Sequence, residues 1–202
     1  MAIKPILFNT EMVRAILDGR KTCTRRLVRF LPGENPQWTG YIRDRLMLYN
    51  GRNEPCIMKA PYQPGDILYV RETWKRAPNG YYYYEDWQRN DIADVTKWKQ
   101  SIHMPKEAAR IWLKVTDVRV ERLQEITDEQ AKREGIQYDE CPTGFTWKQE
   151  TDMHNCYTTP IGAMQALWNS TIKKSDLDRY GWNASPWVWV IEFERCEKPK
   201  GV

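Results

Sequence analysis

Apolar residues change their spacing several times along the chain, and each change marks an element. Met12, Val13, Ile16 and Leu17 recur at helical spacing. Asn9 or Thr10 stands ready to cap that helix, Glu11 suits its first turn, and Gly19 ends it. Ile6-Leu7-Phe8 before it reads as a short first strand, and Thr22 to Val28 after it suits a second extended segment. Further on, Pro64-Gly65-Asp66 is a turn that launches a strand over residues 67–74. Leu68 and Val70 are expected on one face, with Ile67, Tyr69 and Arg71 on the other. Ile111, Leu113 and Val115 alternate, then Val118 and Val120 alternate in the opposite phase. The slip at Thr116-Asp117 predicts a bulge or bend.

Helical spacing returns twice. Thr127 and Gln130 form a capping box, with Ile126 stapled onto Ala131 and Gly135 closing the helix. Pro160 opens a second helix to about Ile172, with Met164, Leu167 and Trp168 on one face. Asp176 to Asn183 reads as a polar turn. The chain then runs into Trp187-Val188-Trp189-Val190-Ile191-Glu192-Phe193, the most apolar strand and an expected central one. Residues 32–62 and 75–104 fit no such scheme. The first is a loop-rich insertion with a hairpin tip at Asn50-Gly51, between residues 46–49 and 57–58. The second holds the Tyr81–Tyr84 run, a lid or an exposed hairpin. Residues 137–159 are irregular as well. Together these elements predict an α+β chain: a small mixed β-barrel flanked by short helices, with long loop insertions.

A length of 202 residues suits a single domain with a substantial core. No apolar run approaches a membrane span, and the N-terminus lacks a signal-peptide pattern, so a cytoplasmic location with no membrane partner is the expectation, and a monomer is expected. The five cysteines are scattered, which predicts no disulfide framework. Cys141, His154 and Cys156 show no metal-ligand spacing, and no cofactor motif is present, so neither a metal nor a cofactor is expected.

Charge changes the picture in one place. The net charge is only +4, yet Arg14, Arg20, Lys21, Arg25, Arg26 and Arg29 face a single acid, Asp18, over residues 14–29. This stretch is either a solvated basic turn or an anion or nucleotide site. In the second reading, like charges around Lys21 favour its neutral form, and Lys21 serves as base toward the Thr24 hydroxyl. Glu134 closes its helix at the end where the dipole disfavours a carboxylate. It is either tolerated surface or held by a cation such as Lys21. Arg71 and Glu72 are either structural ion-pair members or part of a site, and His103 is a lone histidine.

Four pieces of the chain resemble the ASCH domain of the PUA-like superfamily. They are the Gly19-x-Lys21-Thr22-x-Thr24-x-Arg26 turn, the Gly65-Asp66-x-Leu68-x-Val70 strand, the Ile126 to Gly135 helix and the Trp187 to Phe193 terminus. Arg71-Glu72-x-Trp74 and Ser101-Ile-His-Met-Pro105 resemble segments of phage and prophage members. The resemblance implies recognition of RNA or of a modified nucleoside. In the similar bacterial amidohydrolases that deacetylate 4-acetylcytidine, it implies Lys21 as base, Thr24 as nucleophile and Glu134 as assistant. Arg20, Arg25, Arg26, Tyr69, Arg71, Glu72, Trp74 and His103 are the expected substrate-binding residues. Three readings stay open: an amidohydrolase acting on an N4-acylated cytidine; an RNA or modified-base binding module, with or without ribonuclease activity; and a phage-borne interaction protein with a vestigial pocket.

Overall fold

The computed structural model describes residues 1–30, 36–42, 45–56, 60–89, 97–138, 144–147 and 156–201. Five strands form one mixed sheet: β1 (Ile3–Leu7), β2 (Cys23–Leu27), β5 (Ile67–Arg71), β8 (Trp112–Arg122) and β11 (Trp187–Cys196). Their order is β1-β5-β8-β11-β2. The β1–β5 pair is parallel and the other neighbours are antiparallel. Three small hairpins sit outside this sheet. They join β3 (Pro36–Ile42) to β4 (Arg45–Asn50), β6 (Trp74–Ala77) to β7 (Gly80–Tyr83), and β9 (Gln137–Tyr138) to β10 (Phe145–Thr146). The helices are α1 (Thr10–Leu17), α2 (Tyr84–Arg89), α3 (Asp128–Arg133), α4 (Pro160–Thr171) and α5 (Leu177–Tyr180). The α+β class is therefore observed. Among the described residues no helix is long and apolar enough to cross a membrane.

Sequence pattern and structure agree where the period is strong. Asn9 caps α1 by accepting from the Met12 N–H, and the Thr127/Gln130 capping box opens α3 with both bonds made. In β8, Val115 lies opposite Phe193 and Asp117 opposite Glu192, so Thr116 is the extra residue of a bulge. Strand β11 is buried along both faces from Trp187 to Ile191 and pairs with β8 and β2. Alternation along β5 divides the interior. Leu68 and Val70 join the main core with Ile6, Val13, Leu113 and Ile191, whereas Ile67 and Tyr69 join a second cluster with Trp74, Met104 and Trp112.

Differences arise where the pattern is weak. The expected strand over 67–74 breaks after Arg71, and Trp74 starts the β6–β7 hairpin that uses the tyrosine run. In the first insertion the turn at Asn50-Gly51 does form, and Cys56 N–H donates to Leu48 O beyond it. The expected return strand at Ile57-Met58 lies outside the described residues. The β3–β4 hairpin precedes that turn and carries no strong turn signal in the sequence. Cys156 is disulfide-bonded, contrary to the expectation drawn from the scattered cysteines, while Cys23, Cys56 and Cys196 form no disulfide. Scattered spacing does not report which two cysteines a fold brings within bonding distance.

Candidate functional site

The backbone delivers the basic stretch to one place. Gly19, at φ +76°, turns the chain out of α1, and the N–H groups of Arg20 and Lys21 both donate to Ala15 O. The Thr22 N–H then donates to Arg133 O, tying the start of β2 to the end of α3. Gly135 follows α3 at φ +105°, and a Cβ there would lie 3.0 Å from Ala15 Cβ and 3.6 Å from Lys21 Cβ. Only a glycine lets α3 end this close to α1, and the closeness sets Glu134 against Lys21.

Lys21 Nζ donates to Glu134 Oε2 at 2.7 Å and to Glu134 O at 2.8 Å. Arg25 Nη1 donates to the other carboxylate oxygen, Oε1, at 3.2 Å. Arg25 is itself held by Gln130 Oε1 at 3.0 Å and by Glu121 Oε2 at 3.3 Å. All three charged side chains are almost wholly withdrawn from solvent: 1% exposed for Lys21, 0% for Arg25 and 4% for Glu134. Burial pushes the Glu134 carboxyl up, but Lys21, Arg25 and Arg26 together outweigh it and hold the group below its ordinary value. The carboxylate that helix α3 disfavours is thus stabilised by cations from β2 and the turn before it.

Thr24 is buried one residue before Arg25, and its Oγ1 accepts from Arg26 Nη1 at 2.6 Å. Arg26 also donates to Arg25 O at 2.9 Å and to Leu7 O at 3.1 Å, so its guanidinium reaches from edge strand β2 to edge strand β1. The Phe8 ring lies under both cations, 5.5 Å from Lys21 Nζ and 5.3 Å from the Arg26 guanidinium carbon. These groups line a cavity of about 690 Å³. Its opposite wall is apolar, built from Met164, Leu167 and Trp168 of α4 together with Trp189. Trp168 is fixed by its indole N–H, which donates to Tyr180 O at 2.8 Å. Cys23 adjoins the cluster, but burial, with Glu134 adding to it, pushes its thiol up to about 12, which leaves it a poor nucleophile.

Of the expected site residues, Lys21, Thr24, Arg25, Arg26 and Glu134 therefore meet in one cavity. The others do not. Arg20 turns away and donates to Gly135 O at 2.9 Å and to Asp18 at 3.2 Å, so it clips the turn rather than crowding Lys21. Tyr69 and Trp74 are buried in the second cluster. Arg71 lies over the Tyr69 ring and donates to Ile102 O, and His103 is exposed beside it. Both Glu72 oxygens accept from Arg110, at 2.9 Å each, and Arg110 Nη1 also binds Asp86. Burial pushes the Glu72 carboxyl up; Asp86 and Glu85 add to this while Arg110 opposes it. Glu72 is thus in an ion pair with Arg110, away from the cavity. For Tyr69 the cause is strand alternation, because β5 turns it away from the face that Leu68 and Val70 share with the main core.

Sequence reasoning passed over Phe8, Arg29, Trp168 and Trp189 as site residues. Phe8 and the tryptophans read as core, and Arg29 was only one of six clustered cations. No family model matches the chain, and neither a similar curated protein nor a similar solved structure was found.

Proposed function

We propose that the chain is an ASCH-type, PUA-like protein, with its sheet curled into a small barrel, and that the cavity is an amidohydrolase site for an N4-acylated cytidine. The observation that carries this reading is the buried Lys21–Glu134 pair in the same cavity as the Thr24 hydroxyl. Arg26 reaching from β2 to Leu7 O supports the curled sheet. The apolar wall of α4 and Trp189 offers a surface on which a base can stack.

In this reading Lys21 Nζ hands a proton to the Glu134 carboxylate that it already binds, which frees the electron pair a base needs. Thr24 Oγ1 bonds to the acyl carbon as its proton moves to Lys21 Nζ. The negative charge that develops on the carbonyl oxygen is met by the Arg26 guanidinium. The carbon–nitrogen bond breaks as Lys21 returns the proton to the departing amine. Water then hydrolyses the threonine ester, releasing the acid and restoring Thr24.

The RNA or modified-base binding module, with or without ribonuclease activity, has less support. It assigns Lys21, Arg25 and Arg26 to phosphate and Tyr69, Trp74 or the tyrosine run to stacking; Glu134 engages Lys21 and Arg25, and Tyr69 and Trp74 are buried in the second cluster. A cytoplasmic location and a monomeric state belong to the same proposal. The test is a chromatographic assay of purified wild type and Lys21→Ala with 4-acetylcytidine. Cytidine released by wild type and not by the variant supports the reading, and no release by wild type overturns it.

A further inference from the structure

Among the described residues the charges around the cavity do not balance. Lys21, Arg25, Arg26 and Arg29 line it there against one carboxylate, Glu134. Glu134 is shared by Lys21 and Arg25, and Glu121 takes a second bond from Arg25. The other two cations have no such partner. Arg26 donates only to neutral oxygens, those of Thr24, Arg25 and Leu7. Arg29 is exposed and makes no ion pair or hydrogen bond among the described residues. It lies just beyond β2, and the same strand carries Thr24 and Arg26. The inner end of the cavity thus holds the hydroxyl and the neutralised ion cluster, while a solvated, uncommitted guanidinium also lines it.

A neutral nucleoside offers that guanidinium hydrogen-bond acceptors but no negative charge. A phosphate ester does: an arginine fork matches two phosphate oxygens and forms charge-assisted hydrogen bonds. We propose that the cavity takes a phosphorylated cytidine, with Arg29 binding its phosphate group. This rests on the reading of the cavity as a cytidine site. The phosphate belongs either to a free nucleotide or to a nucleotide within single-stranded RNA, and the chemistry read by Arg29 is the same in both.

The test is calorimetric titration of the full chain, which reads binding and needs no turnover. The probes are cytidine, cytidine 5′-monophosphate and a short single-stranded oligocytidylate RNA. The proteins are wild type, Arg29→Glu and Arg29→Lys. For wild type at low salt, the monophosphate is expected to bind about tenfold more tightly than cytidine, the worth of one charged hydrogen-bonded contact. That ratio should fall close to one in Arg29→Glu, recover partly in Arg29→Lys and shrink as salt rises. Because Arg29 is exposed and pairs with none of the described residues, its replacement strands no buried partner among them. If the RNA binds more tightly than the monophosphate with a steeper salt dependence, the phosphate is that of a strand. If it binds no more tightly, the phosphate is that of a free nucleotide. Equal affinities for cytidine and its monophosphate, an advantage that persists in Arg29→Glu, or no binding of any probe each overturn the proposal. Failure of the amidohydrolase reading looks different: the phosphate advantage stands while 4-acetylcytidine is not cleaved.

Discussion

Lys21 Nζ and Glu134 Oε2 stand 2.7 Å apart, although 113 residues separate them in the chain. The contact joins the turn after α1 to the last turn of α3, and it sits in a cavity rather than on the surface. Removing either partner strands a charge that is almost wholly withdrawn from solvent. Breaking a buried pair of this kind costs roughly 3–5 kcal/mol, whatever the intact pair contributes on balance. Glu134→Gln is therefore expected to lower the unfolding free energy by about that amount, measured by urea denaturation.

The pH dependence follows from the same carboxylate. Glu134 is held below its ordinary value in the folded chain, and an unfolded glutamate titrates near pH ~4.3. Its contribution to stability is present above the unfolded value and is lost as pH falls through the lower, folded one. Denaturation midpoints should therefore drop below about pH 4, and less steeply in Glu134→Gln than in wild type. Parallel curves for the two proteins would contradict the assignment.

Arg25 was expected from sequence to touch substrate, but its side chain is wholly buried and grips Glu134 Oε1, Glu121 and Gln130. In the proposed function it is a positioning residue, acting through Glu134. Arg25→Lys keeps the charge and loses the fork. Under the amidohydrolase reading, kcat should fall about 10- to 100-fold, the cost of a small misplacement, with KM little changed. A rise in KM at constant kcat would show direct substrate contact instead.

Gly135 is needed both for its φ of +105° and for its closeness to Ala15. Gly135→Ala should cost on the order of 1–3 kcal/mol in backbone strain alone. The added methyl also pushes α3 away from Lys21. Thermal denaturation should show the loss of stability, and turnover should fall in the same variant. An unchanged Tm would mean that the close approach is not required.

Much of this architecture was legible because its signals are local. A capping box, a phase slip in a strand and an amphipathic helix need only neighbouring residues, and Thr127/Gln130, Thr116 and Met164/Leu167/Trp168 were found that way. Glu134 was legible by contradiction, since helix energetics gave a carboxylate no reason to stand there. What stayed hidden depends on contacts distant in sequence. Nothing near Arg110 shows that it fills both oxygens of Glu72, and nothing near Tyr69 shows that its face of β5 is covered by Trp74, Met104 and Trp112. The cysteine pattern likewise did not announce the disulfide at Cys156.

The central claim is that the Thr24 hydroxyl, with Lys21 beside it in the cavity, is the attacking group. The most direct test is to mix enzyme with 4-acetylcytidine, quench rapidly, and follow cytidine release together with the intact mass of the chain, for wild type and Thr24→Ala. The expected result is one acyl group on wild type, mapped by peptide digestion to Thr24, with both the adduct and cytidine release lost in Thr24→Ala while the variant keeps its denaturation midpoint. Cytidine released by Thr24→Ala at the wild-type rate would contradict it.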